Sequence, residues 1–416
     1  MVVVAHAMTA VMPGWVPVAT GSPFPVSNLP YGVFTTQDEP QRPRIGRIGI
    51  AVGDFVLDVG ALAAAQCLPY AAALQAANLN PFMACGPATW DDFRTRLTAW
   101  LTDEAYRPLV EPLLVPLAAA RLQMAFEVAD YVDFYSSEHH ATNAGRMLRP
   151  GQPPLHPNWK HLPVGYHGRS GTVRVSGTPV LRPRGQRIPA EGAPPVVGPS
   201  QRLDFEAEVG FVVGVGSELG RPLPVEEFAS HVFGVCLVND WSARDIQAWE
   251  YAPLGPLLGK SFLTSISPWV VPLAALEAAR VTPPPRDPDV LGYLDDADYP
   301  WGLDIQLSVC LNGQQISQPP LREMYWTAAQ QLAHLTVNGA SVRTGDLFAS
   351  GTVSGPEREQ FGSLMELTWA GQHPLTLASG ATRTFLEDGD EVVISATAPG
   401  ADGELIGFGD VRGRVR

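Results

Sequence analysis

Four acidic residues are spaced so that their carboxylates could share a cation. In LDFEAEVGFVVGVG, Glu206 and Glu208 lie two residues apart, so in a strand both leave one face while Phe205, Ala207 and Val209 leave the other. Adjacent carboxylates repel unless something positive sits between them, and a hard divalent cation such as Mg2+ or Ca2+ is the usual solution. A solvated polar strand face would carry the same pattern, so the pair needs partners. One candidate closes VFGVCLVND, an apolar strand from Val232 to Asn239 that ends in Asp240 and runs into WSARDIQAWEY, a helix start. Asp240 is there either a ligand at the strand's end or, like Ser242, a plain helix cap. Asp133, flanked by aromatic residues in YVDFYSSEHHATNAG, is the fourth acid. An all-oxygen set of Asp133, Glu206, Glu208 and Asp240 suits Mg2+ or Ca2+ rather than zinc, because no Cys or His is interleaved at metal spacing.

Five of the nine histidines, His139, His140, His156, His161 and His167, fall in one short span just beyond Asp133. Each is by default a hydrogen-bonded structural residue, but their concentration makes a general base worth weighing. Arg149, Arg244 and Lys260 could neutralise an anionic substrate or a developing oxyanion, or be ordinary surface ion-pair residues. Two nucleotide motifs fail. GPLLGKS (Gly255 to Ser261) is one residue short of a P-loop, carries Pro256 and follows no apolar strand. GVGSELG (Gly214 to Gly220) misses the dinucleotide pattern by one residue and opens no helix.

The elements that must position these side chains are short. The chain has 416 residues and a formal charge of −14, which argues against nucleic acid as the main partner. Hydrophobic residues at 45% against charged residues at 17% imply a sizeable buried core, and the length predicts two domains. With Gly 40 and Pro 40, turns must be frequent, which predicts a β-rich class. Up to about Ala120 a small domain is expected. It has a hairpin around Gly53-Asp54 within Arg44 to Gly60, a helical composition in ALAAAQCLPYAAALQAA, and a helix opened by Thr89 and Asp92 in capping-box fashion. Trp90, Phe93, Leu97, Trp100 and Leu101 recur there at helical spacing, and Val110 to Ala119 reads as the connection onward. Later, Leu303 to Leu311 alternates and ends at Asn312-Gly313, predicting a strand and hairpin turn, while Met324 to Val337 predicts the one long helix of this part. Arg182 to Ser200 and Arg280 to Trp301 are Pro-rich loops of the length of lids or interface arms. Cys67, Cys85, Cys236 and Cys310 have no CxxC spacing, which fits a reduced, cytoplasmic setting. The opening MVVVAHAMTAVMPG has no Lys or Arg before its hydrophobic run and reads as a floppy extension or as containing an alternative start at Met8 or Met12, with a signal peptide as the rival expectation, and no run reaches the length of a membrane span.

Longer blocks carry a resemblance. NLPYGVF (Asn28 to Phe34), DFYSS followed by HATNAG, NWKHLPVGYHGR, SGTPV, LDFEAE, NDWSARDIQAWEYAPLGPLLGKSF, SPWVVP, YWTAAQQLAHLTVNG, GDLFASGTVSG and RTFLEDGDEV resemble the fumarylacetoacetate hydrolase family, in the same order, from about Trp15 to the C-terminus. The resemblance implies hydrolysis of the carbon–carbon bond of 4-fumarylacetoacetate to fumarate and acetoacetate, the last step of tyrosine breakdown. It implies a mainly β or α+β homodimer: a small SH3-like N-terminal barrel over residues 15–120 and a larger C-terminal mixed β-sandwich roll over residues 121–416.

Carried over residue by residue, the family's metal acids fall on Asp133, Glu206, Glu208 and Asp240, and its general base on His140, oriented by Glu366 in FGSLMELTW. Oxyanion donors match Arg244, Gln247 and Lys260, and contacts to a small diketo dicarboxylate substrate match Tyr135, Arg149, Tyr166, Gln247, Tyr251 and Thr352. A second cation is implied near Lys260 to Thr264. The departures are Glu138, where a basic or polar residue is more usual, and fourteen leading residues without counterpart. Neither nucleic acid nor membrane is an expected partner. The rival expectations are a metal-dependent acylpyruvate hydrolase, decarboxylase or isomerase of the same superfamily, or a non-catalytic oligomeric binding protein.

Overall fold

The computed structural model describes residues 14–36 and 46–416. The opening segment through Pro13, with Met8 and Met12, lies outside the described residues, as do Arg44 and Ile45 ahead of the first hairpin. The fold is mixed α+β around one large sheet. Its main path runs Leu114–Pro116, Phe55–Asp58, Arg47–Val52, Tyr31–Thr36, Trp269–Pro272, Val232–Asp240, Ala207–Val213, Leu347–Ala349, Tyr131–Phe134, Gly165–His167. Val232–Asp240 is buried along its whole length, which is why its sequence is apolar without alternation. Val235 and Leu237 face one core, and Phe233, Cys236 and Val238 face the other.

The first core lies between this sheet and a second one, ordered Gln314–Ser317, Gln306–Leu311, Glu391–Pro399, Leu405–Arg414. There Leu307, Val309, Ile394 and Phe408 join Val209, Val235 and Leu237. The expected alternating strand forms, although it begins at Gln306, and Gly302–Leu303 pairs separately with Arg280–Val281. It turns at Asn312 (φ 52°) and Gly313 (φ 79°), a two-residue turn whose twist suits the flanking strands.

The N-terminal unit differs from expectation in its closure. Among the described residues its strands form no closed barrel. The hairpin at Gly53-Asp54 is present, but Tyr31–Thr36 pairs with Arg47–Val52 on one side and with Trp269–Pro272 and then Ala120–Gln123 on the other. The small unit thereby continues the central sheet. Val110 to Ala119 is no plain connection either, since Leu114–Pro116 extends the sheet beside Phe55–Asp58. The helix around Trp90 spans Pro87–Thr102, so it starts two residues before Thr89, with Pro87 as its first residue, where a missing N–H costs nothing. Thr89 instead bonds the Cys85 carbonyl within the first turn (3.3 Å). The small-residue stretch breaks around Cys67 and Pro69 into Val59–Ala65 and Ala71–Leu74.

The helix expected over Met324 to Val337 covers Ala328–Thr336, because Thr327 caps it and Gln330 completes a capping box. A helix absent from the sequence expectations, Glu138–Leu148, is capped by Ser137. Of the two Pro-rich stretches, Arg182 to Ser200 folds into the hairpin Arg184–Arg187 with Val196–Pro199. Arg280 to Trp301 is pinned by Arg286 to Asp296 and Gln330, each at 2.7 Å.

Where the two parts join, Gly32 sits opposite Trp269, and a Cβ there would lie 2.6 Å from the Trp269 ring. Gly32→Val should therefore destabilise the protein by about 1–3 kcal/mol, as overpacked sites do. A urea midpoint unchanged from the parent would contradict this reading of the joint.

Candidate active site

Strand register brings the acids together. Gly210 pairs with Ala349, and Ala349 with Asp133; Glu208 pairs with Val238, two residues before Asp240, and Asp240 pairs with Thr264. Directly opposed residues share a face, so Asp133, Glu208, Asp240 and Thr264 project from the same side of the sheet. Gly210 and Ala349 are the small residues between Glu208 and Asp133 in this register. Glu206, just ahead of the strand Ala207–Val213, joins them. Oxygens of Asp133, Glu206, Glu208 and Asp240 all lie within 4.8 Å of one another, and all four residues are buried.

The cluster is partly neutralised from one side. The Lys260 ammonium donates to Asp240 Oδ2 at 2.6 Å and to Glu206 Oε2. Arg244 Nη2 lies 2.7 Å from Glu206 Oε1. The Tyr166 hydroxyl reaches both Asp133 Oδ2 (3.1 Å) and Asp240 Oδ2 (3.0 Å), and Thr264 Oγ1 reaches Asp240 Oδ1 (3.2 Å). Asp240 is thus committed to the cluster, and the helix-cap alternative falls. The helix Arg244–Glu250 follows Ala243 with no side-chain cap.

Among the described residues, Asp133 Oδ1 and both oxygens of Glu208 have no hydrogen-bond donor. Burial, and then the neighbouring carboxylates, push Asp133 and Glu208 well above the ordinary range, and burial raises Asp240 too. Burial would raise Glu206 as well, but Arg244 and Lys260 outweigh it and hold its carboxyl below the usual glutamate value. Buried carboxylate oxygens without donors fit a hard divalent cation, so the residues present suit the metal that the sequence implies.

The His140 side chain lies beside the acids. His140 is the third residue of its helix, where its N–H bonds the Ser137 hydroxyl (3.2 Å). Its Nδ1 lies 2.6 Å from Glu366 Oε2, and its Nε2 lies 4.0 Å from Glu206 Oε1. A carboxylate accepting from Nδ1–H leaves Nε2 as the free base. Glu366 is itself held by Asn143 Nδ2 (3.1 Å), Ser354 Oγ (3.0 Å) and Ser363 Oγ (2.9 Å). Burial would raise its carboxyl, but His140 and then Asn143 and Ser363 take it below the ordinary value of 4.5.

Tyr135 meets the His140 ring edge-on at 5.3 Å. Gln247 Oε1 accepts from Arg244 Nη1 at 3.4 Å. Thr352 is buried between Gly351 and Val353, whose N–H bonds Ala207. Arg149 is tied to the Pro154 carbonyl (2.6 Å) and the His156 ring within its own loop. Tyr251 ends the helix Arg244–Glu250, 52% exposed, and no hydrogen bond joins its hydroxyl to the cluster among the described residues. Of the remaining histidines, His167 lines a cavity of about 560 Å³ together with Tyr131, Tyr166, Arg169, Asp240, Lys260 and Thr264.

Residue-by-residue reading of the sequence missed Asp204, Asn143, Ser354 and Ser363. Asp204 had a legible signal, since it stands two residues before Glu206 as Glu206 stands before Glu208. It accepts from Arg244 Nε at 2.8 Å. The serines and the asparagine carried none, because a hydroxyl or amide that orients a distant carboxylate looks like any other.

A buried oxygen cluster chemically suited to a divalent cation, set in this fold beside a His–Glu pair, is the design of a hydrolase. The fumarylacetoacetase N-terminal family model matches residues 27–125, and the fumarylacetoacetate hydrolase C-terminal model matches residues 130–416. Fumarylacetoacetases of Bos taurus and Homo sapiens are each 48% identical, covering 96% of this chain and 98% of their own length. The solved fumarylacetoacetate hydrolase of Exiguobacterium antarcticum shares the fold, with a TM-score of 0.54 at 15% identity over 93% of this chain and 99% of that one. The chain belongs to the fumarylacetoacetate hydrolase family.

Two outcomes follow from the geometry. Glu208→Gln should weaken Mg2+ binding in calorimetry by at least about tenfold, and unchanged affinity would contradict the cluster as a cation site. Glu366, lowered in the folded state, contributes stability that is complete above the unfolded value of 4.5 and is lost as pH falls through its folded value. Glu366→Gln should therefore flatten the acid limb of the stability profile below about pH 4.5. Urea midpoints with the parent's steepness there would refute it.

Proposed function

We propose that this protein hydrolyses the carbon–carbon bond of 4-fumarylacetoacetate, giving fumarate and acetoacetate, the closing step of tyrosine breakdown. The observation that carries the reading is the His140–Glu366 pair standing 4.0 Å from a four-carboxylate cluster. The family relationship supports the same substrate. Cleaving a β-diketone requires attack on a carbonyl and also relief for the carbanion that departs. Asp133, Glu206, Glu208 and Asp240 would hold Mg2+ or Ca2+, which when bound supplies Lewis-acid chemistry toward the diketone oxygens. In the same reading, Thr264 with Lys260 borders a second cation.

The remaining chemistry belongs to side chains. His140 Nε2 takes a proton from water, while Glu366 fixes the tautomer and stabilises the imidazolium, a role typically worth ~10²–10⁴ in rate. The hydroxide oxygen bonds to the carbonyl carbon, and the resulting oxyanion is held by Arg244, Gln247 and Lys260, each donor worth about 3 kcal/mol. The C–C bond then breaks, its electron pair stays on the acetoacetate carbon, and the imidazolium returns the proton there. Arg149 pairs with a substrate carboxylate, and Tyr135, Tyr166, Tyr251 and Thr352 border the substrate. Residues 121–416 carry this chemistry and 15–120 brace it. We also propose a homodimer, supported by the exposed apolar run of Trp249, Tyr251, Leu254, Leu257 and Leu258, and a reducing, cytoplasmic setting, supported by the free thiols of Cys67, Cys85, Cys236 and Cys310.

The test is the loss of fumarylacetoacetate absorbance, with and without EDTA, against acylpyruvates as alternative substrates. Turnover of fumarylacetoacetate that EDTA stops and metal restores is expected. His140→Ala should abolish it while substrate still binds. Preference for an acylpyruvate, or near-parental kcat in His140→Ala, would overturn the substrate or the base.

A further inference from the structure

Asp204 has no exposed surface, so it touches no substrate, yet donors from two parts of the site converge on it. Its Oδ2 accepts from Arg244 Nε at 2.8 Å and lies 2.7 Å from Arg244 Nη2. The same oxygen accepts from the Met365 N–H (3.2 Å), and Oδ1 accepts from the Leu364 N–H (2.8 Å) and the Phe205 N–H (2.9 Å). Leu364 and Met365 immediately precede Glu366, whose own N–H bonds the Ser363 hydroxyl at 3.2 Å. On the other side, Asp204 pairs in a short ladder with Ser242, two residues before Arg244. The Arg244 N–H bonds the Arg202 carbonyl at 2.9 Å. One carboxylate therefore fastens a guanidinium and the turn that carries the partner of the histidine base.

Only an acceptor group with about four lone-pair sites can receive such a set of donors. An amide would turn an N–H toward either Arg244 or the main-chain donors and break one of the two links. We propose that Asp204 is a positioning residue that fixes the distance between the oxyanion donor Arg244 and the base assembly His140–Glu366. This rests on the hydrolase reading above. A nucleophile delivered from one side and a charge collected on the other must be spaced to a fraction of an ångström, and misplacement costs rate rather than binding.

The experiment uses the metal-loaded full chain with fumarylacetoacetate as substrate. In Asp204→Asn, kcat should fall about 10²-fold, as on loss of an oxyanion donor, while KM stays within about threefold. Mg2+ affinity by calorimetry should stay at the parental value. Combined with Arg244→Lys, the loss should fall well short of the product of the two single losses, because the residues act as a unit. If the asparagine variant does not fold, Asp204→Glu keeps the charge and the acceptors but displaces them by one methylene, and should show the same kcat-against-KM split. A folded variant of either kind with kcat within about threefold of the parent would overturn the inference, as would losses that multiply in full. The parent is assayed alongside: an inert parent removes the hydrolase reading and this inference with it, whereas an active parent with active variants removes this inference alone.

Discussion

Four carboxylates buried within 4.8 Å of one another are an arrangement that folding alone would not favour. Each pair of like charges near 4 Å repels by roughly 4 kcal/mol at an effective dielectric of about 20, and each also loses its water. Much of the surrounding structure answers that problem. Lys260 spans Glu206 and Asp240, Arg244 takes the far oxygen of Glu206, and Tyr166 and Thr264 donate to Asp133 and Asp240. What these groups leave open among the described residues, Oδ1 of Asp133 and both oxygens of Glu208, is suited to a divalent cation.

The same repulsion dictates where the rigid parts must be. Three of the acids sit on or at the end of strands of the large sheet, where ladder pairing fixes each Cα: Asp133 with Ala349 and Tyr166, Glu208 with Val238, and Asp240 with Thr264. His140 comes from a helix and Glu366 from a four-residue turn, and each is capped by a serine hydroxyl. Their precision comes from local caps and from the hydroxyls and amide around Glu366 rather than from a ladder. This division suits the proposed chemistry, because a cation tolerates little movement among its ligands whereas a base must gain and lose a proton.

Much of this was legible in the residues. The period-two spacing of Glu206 and Glu208, and the unbroken apolar run before Asp240, are direct consequences of strand geometry and full burial. The helix that carries His140 was not legible from periodicity, because EHHATNAGRML has few apolar residues and is recognised only by the serine that caps it. The open N-terminal unit was illegible for another reason: the pairing of Tyr31 with Val270 is chosen by packing across the whole chain. The ties of Asn143, Ser354 and Ser363 to Glu366 likewise appear only when distant segments meet.

The junction between the N-terminal strands and the central sheet bears on how the chain is made. Tyr31 finds its partner Val270 only after nearly two thirds of the chain has left the ribosome, and Gly407 must then close over Asn28 (2.8 Å). Pairings of such long sequence separation form slowly and leave strand edges open in the meantime. The Tyr31–Gly32 end of the first described strand is thus among the last to be satisfied, so a nascent chain halted before Val270 leaves those two residues unpaired on that side, while Val33–Thr36 already has Ala120–Gln123.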